Sequence, residues 1–79
     1  MRKRAEALAE IRQAKGKTQA EVAERAGWQQ AAVSRLELEG VDARLSTLQR
    51  YADALGGELR VIVAFRGGEE RLVRLKGDE

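Results

Sequence analysis

The chain has 79 residues, 43% hydrophobic and 35% charged, with a net charge of +2, enough for one small domain whose core is near the marginal size. It contains no cysteine and no histidine, which excludes disulfides, thiolate metal sites, a thiol nucleophile and the usual general base at neutral pH; we expect no enzyme, no cofactor and no metal. No apolar run approaches the roughly 18–20 residues that cross a bilayer, and the basic start MRKRAEALAE is no secretory signal, so a cytoplasmic chain without a membrane partner is expected.

The segment from about Arg4 to Lys15 places Leu8, Ile11 and small alanines at helical spacing, and Gly16 follows as a terminator. Charge is concentrated here. Residues 1–17 carry six cations against two carboxylates, a balance of +4, while residues 18–40 carry two arginines and four glutamates, a balance of −2. Such a basic start suits a phosphate-facing edge, or equally an ordinary solvated helix.

Thr18 opens a second helix, with Glu21 three residues on to complete a capping box. Val22, Ala23 and Ala26 share one face of it, small enough to let another helix approach closely. Gly27 supplies a turn. Trp28, the single tryptophan, reads as a plug between helices beside that turn. The third helix, about Gln29 to Glu37 or Leu38, turns Ala32, Val33 and Leu36 inward. Gln30, Ala31, Ser34 and Arg35 fan over its opposite side. Two helices about a glycine turn, the second with a polar outer face, read as a helix-turn-helix that meets duplex DNA.

A loop from Glu39 to Leu45 leads to a fourth helix, for which Ser46 and Gln49 suggest a second capping box. Leu48, Tyr51, Ala52 and Leu55 form its buried stripe, and Gly56-Gly57 ends it. The period then changes. In GELRVIVAFRGG, the residues Leu59, Val61, Val63 and Phe65 alternate with Arg60, Ile62, Ala64 and Arg66, which reads as a strand. Gly67-Gly68 suggests a two-residue hairpin turn, with Glu69 to Lys76 returning. A hairpin satisfies only one edge of each strand. A two-fold partner could pair the other edge and cover Leu59, Val61, Val63 and Phe65, so a homodimer is expected; the rival is a hairpin folded onto the fourth helix of its own subunit. The chain divides into a helix-turn-helix unit, residues 1–57, and a C-terminal strand or hairpin, residues 58–79, as dimerisation element of the same domain.

From about Leu8 to Leu55, and most specifically in TQAEVAERAG…AVSRLE, the sequence resembles the lambdoid phage repressor and Cro family, the XRE-like helix-turn-helix proteins. The resemblance implies a mainly α, four-to-five-helix lambda-repressor-like DNA-binding domain, here with a C-terminal β-strand or β-hairpin. It also implies dimers that regulate transcription from operator DNA through the third helix. Carried over position by position, it implies that Gln19 contacts phosphate and braces Gln30. Gln30 would read adenine, Ala31 would meet a thymine methyl, and Ser34 and Arg35 would touch base or backbone, Arg35 suiting guanine. Arg12 and Glu37 match a structural ion pair whose arginine lies near phosphate. Thr18, Lys17 and Gln29 complete the expected backbone set. Gln29 departs from the family's usual serine or threonine cap. Antitoxins of toxin–antitoxin operons within this family dimerise through C-terminal strands, so the partners implied are double-stranded DNA, a second copy and a toxin protein.

Overall fold

The computed structural model describes residues 5–75. Its elements run α1 (Leu8–Ala14), α2 (Gln19–Ala26), α3 (Gln30–Glu39), a 3₁₀ turn (Gly40–Asp42), α4 (Leu45–Ala54), β1 (Ile62–Ala64) and β2 (Glu70–Leu72). Four helices followed by a two-stranded antiparallel sheet is the architecture expected from the periodicity.

Local chemistry sets the helix boundaries. At α1 the Glu10 carboxylate accepts the Ala7 N–H at 2.8 Å, so the helix starts at Leu8; Arg4, where the sequence suggested a start, lies outside the described residues. The capping box of α2 is formed in both directions. Thr18 Oγ1 accepts the Glu21 N–H at 3.1 Å, and Glu21 Oε1 accepts the Thr18 N–H at 2.9 Å. Gly27 then takes φ +74°, a left-handed conformation that costs a residue with a Cβ about 1–2 kcal/mol. Trp28 N–H closes the turn on the Ala23 carbonyl at 2.8 Å, and its ring packs against the core.

Two local expectations are corrected. The second capping box is absent: α4 begins at Leu45, after Arg44, which makes no side-chain cap. Its first turn closes as Leu48 N–H donates to the Arg44 carbonyl at 3.0 Å, so Ser46 sits inside the helix and cannot cap it. The short 3₁₀ turn takes up Gly40–Asp42, Ala43 and Arg44 follow in extended conformation, and α4 begins at Leu45. The hairpin loop, likewise, has three residues rather than two. Phe65 N–H donates to Glu69 O at 2.8 Å, and Gly68 N–H to Phe65 O at 3.2 Å, leaving Arg66 to Gly68 in the loop with Gly67 at φ +92°. The register then pairs Ile62 with Leu72, Val63 with Arg71 and Ala64 with Glu70. A two-residue loop would slip the return strand by one and turn Val73 and Leu75 to the opposite face.

The core is Val22, Ala23 and Ala26 of α2, Val33 and Leu36 of α3, and Tyr51 and Ala54 of α4. Leu8, Trp28, Ala43, Leu48 and Leu55 pack around it. The alanines of α2 bring α3 close, and that seats α3 firmly enough to present its far side. The hairpin is different. Leu75 at its base is buried, while Ile62, Val63, Phe65 and Leu72 are 51%, 45%, 51% and 67% exposed. Among the described residues, no helix is long and apolar enough to cross a membrane.

Candidate nucleic-acid interface

The α3 face opposite the core carries Gln30, Ala31 and Arg35, all exposed, and Ser34, half-buried. Val33 and Leu36 are 0% and 4% exposed on the other side. No hydrogen bond or ion pair to another described residue holds the side chains of Gln30, Ser34 or Arg35. Gln29 is the N-cap of α3 and is exposed, with no side-chain cap bond, as a poor capping residue would behave. Arg35 and Arg44 line a cleft of about 460 Å³ between α3 and the start of α4, together with Glu39 and Asp42.

Behind that face lies a polar clamp built on Glu37, whose side chain is 6% exposed. Arg12 of α1 grips it with two N–H groups, Nε to Oε2 at 2.7 Å and Nη2 to Oε1 at 3.2 Å. Gln19 of α2 donates Nε2–H to Oε1 at 3.0 Å. Tyr51 of α4 donates its hydroxyl to Oε2 at 2.6 Å; the Leu8 carbonyl lies 3.2 Å from the Tyr51 hydroxyl, but the one phenolic proton goes to the nearer carboxylate. One carboxylate on α3 therefore receives donors from the other three helices. Arg12 also donates Nη1–H to the Lys17 carbonyl at 2.9 Å, tying α1 to the entry of α2.

The electrostatics follow from this geometry. Burial opposes the charge on Glu37, yet the hydrogen bonds from Arg12, Tyr51 and Gln19 outweigh it and hold the carboxyl below its ordinary range. The hydrogen bond to Glu37 raises Arg12 against the opposing effect of burial. Burial first, then the neighbouring carboxylate, pushes the Tyr51 phenol far up, so it remains a donor at every physiological pH. No buried side-chain nitrogen or oxygen among the described residues lacks a partner.

The structure brings some of the expected site residues together and sets others apart. Arg12 and Glu37 are joined directly. Arg12 is only 8% exposed and spends three N–H bonds on the protein, leaving it little surface for a phosphate. Gln19 makes no hydrogen bond to Gln30 in this structure; one of its amide N–H groups goes to the buried Glu37 carboxylate. Lys17 and Gln19 are half-buried and Thr18 exposed at the N-terminal end of α2. Tyr51 was legible only as an apolar stripe residue. The signal for more was its hydroxyl, since a buried phenol normally finds a partner.

Comparison with known proteins agrees with this geometry. A helix-turn-helix family model matches residues 8–62. Antitoxin HigA1 of Mycobacterium tuberculosis (strain CDC 1551 / Oshkosh) is 45% identical over 62 residues, covering 78% of this chain and 42% of that protein. HigA3 of strain H37Rv is 50% identical over 60 residues, covering 73% of this chain and 55% of its own length. The chain thus matches about half the length of these relatives. A solved HigA antitoxin, described as bending DNA through a unique dimerization, superposes with a TM-score of 0.80 at 42% identity, over 95% of this chain and all of that one. DNA-bound antitoxin HigA3 superposes with a TM-score of 0.79 at 41% identity, over 92% and 95% of the two chains. A capped α2, a glycine turn and an α3 locked from behind through Glu37, over the span the family model covers, place this chain in the XRE-like helix-turn-helix family.

Proposed function

We propose that the chain is a sequence-specific double-stranded DNA-binding repressor, acting as a homodimer on a palindromic operator and requiring no cofactor. The observation that carries this reading is the α3 face: Gln30, Ala31 and Arg35 lie exposed on a helix whose opposite side is clamped into the core. An exposed glutamine amide can pair bidentately with adenine and an arginine with guanine in the major groove. Gln19, Thr18, Lys17 and Gln29 would hold phosphates on either side, with Arg12 acting through Lys17 and Glu37 rather than by contact. Two copies would set their α3 helices about 34 Å apart, one turn of B-DNA. The hairpin residues Leu59, Val61, Val63 and Phe65 would hold the copies together, residues 1–57 serving as the reading unit and 58–79 as the coupling one. Repression follows from occupancy, in the cytoplasm, with no reaction catalysed. Selection of bound duplexes from a random pool tests the proposal. Recovery of a palindrome supports readout and symmetry together, while recovery of no common sequence refutes sequence-specific binding.

A second reading is favoured by the antitoxin names of its relatives: the chain also binds and neutralises a toxin protein. Co-expression with the product of a neighbouring short reading frame tests it, through rescue of growth and co-purification.

A further inference from the structure

Burial alternates along the base of the hairpin. Leu59, Val61 and Val73 are half-buried and Leu75 is buried, whereas Arg60, Ile62, Leu72 and Arg74 are exposed. Successive side chains of a strand point to opposite faces, so the odd-numbered residues turn toward the chain's own domain and the even-numbered ones form an outward face. Ile62 and Leu72 are direct cross-strand partners on that face, 51% and 67% exposed. By contrast, exposed Leu38 lies on the α3 side already given to DNA, and exposed Val63 and Phe65 lie on the odd-numbered face already given to the dimer.

The base of the outward face also holds a stranded charge. The Val61–Val73 pair is hydrogen-bonded at 2.8 Å, so the pairs on either side, Arg60–Arg74 and Ile62–Leu72, are the unbonded kind, whose side chains approach most closely. Like charges directly opposed destabilise a sheet. Glu58 answers Arg60 at 2.7 Å, but the Arg74 side chain has no hydrogen bond or ion pair to another described residue. Both arginines, with Glu58 and Leu72, line a cleft of about 570 Å³. An apolar centre with arginine at its rim is the anatomy of a protein interface, and a planar guanidinium takes a carboxylate bidentately. A nucleic-acid backbone would answer Arg74 but leave Ile62 and Leu72 in water.

We infer that this outward face docks the toxin protein of the second reading above, through a segment that sets one carboxylate on Arg74 and apolar side chains on Ile62 and Leu72. The inference rests on that reading and adds to it a surface and a partner chemistry. One carboxylate suffices, because Glu58 already neutralises Arg60. The face is left free by the proposed dimer, which uses Leu59, Val61, Val63 and Phe65, and by DNA, which uses α3.

Three measurements on the full chain decide it: calorimetric titration with the purified product of the neighbouring short reading frame, anisotropy with the selected operator, and mass by light scattering. Leu72→Ala and Arg74→Glu change exposed side chains, so both variants keep the fold. Each should weaken the protein complex by about 10-fold or more, with operator affinity and mass as in the wild type. Unaltered protein binding by either variant would overturn the inference and leave a toxin-binding chain that uses another surface. Failure of the wild-type chain to bind that product would overturn the inference and the second reading together. Loss of operator affinity in Arg74→Glu would give the cleft to phosphates, and a lower mass in Leu72→Ala would give the face to a second copy. Either result also overturns the inference.

Discussion

Tyr51 donates its hydroxyl to Glu37 across 2.6 Å, and the carboxylate it meets is the one that Arg12 and Gln19 also hold. A phenol on α4 thus helps fix the helix whose outer face is free, although the two residues lie 14 positions apart in the chain.

Tyr51→Phe keeps the ring in the core and deletes that one donor. A hydrogen bond to a charged group is worth about 1.5–3 kcal/mol, and a domain of this size loses about 4–8 °C of Tm per kcal/mol. Thermal unfolding followed by circular dichroism should show the midpoint fall accordingly. An unchanged midpoint would mean that Glu37 is fully satisfied by Arg12 and Gln19.

Glu37→Ala should be far more damaging than Glu24→Ala. Removing Glu37 strands the Arg12 guanidinium, itself only 8% exposed, at a cost of about 3–5 kcal/mol. Glu24 is exposed, and surface changes of that kind stay within about 0.5 kcal/mol. Urea denaturation of the two variants separates these outcomes; equal midpoints would rule out a tightly coupled pair.

The depressed Glu37 carboxyl makes stability depend on acid. An unfolded glutamate titrates near about 4.3, and the folded group titrates lower. Its contribution is therefore complete above the unfolded value and is lost as pH falls through the folded one. Against Glu37→Gln, whose neutral amide does not titrate, the wild-type advantage should be greatest above about pH 4.5 and shrink on further acidification. Unfolding free energies measured from pH 7 to pH 2.5 check the sign. A gap that widens toward acid would contradict it.

Gln30→Ala should leave the fold intact, since the side chain is exposed and bonds no other described residue. Loss of a bidentate base contact costs about 1–3 kcal/mol of discrimination. Binding to the selected operator should weaken correspondingly, while binding to random duplex barely changes. Fluorescence anisotropy at matched salt distinguishes the two, and equal losses on both DNAs would remove Gln30 from base readout.

Much of the fold is legible because its signals are local. The Thr18–Glu21 box, the Gly27 turn and the inward set Val22, Ala23, Ala26, Val33 and Leu36 each follow from spacing within a turn or two of helix. Helical phase likewise puts Gln30, Ala31 and Arg35 on one outer face. Partner identity is another matter. Phase assigns a residue to a face but not to a neighbour, so Gln19 and Tyr51, 18 and 14 positions from Glu37, found their common acceptor only once four helices had packed. The spacing of Ser46 and Gln49 suggests a cap, yet only the folded chain shows that α4 begins one residue ahead of Ser46, at Leu45. The hairpin teaches the same lesson. Alternation announces a strand, but Gly67-Gly68 fits a two- or a three-residue loop, and the choice of three depends on which face Val73 and Leu75 must join. Backbone conformation near a residue is set by its neighbours in sequence, whereas register and hydrogen-bond partners are set by what the assembled core leaves within reach.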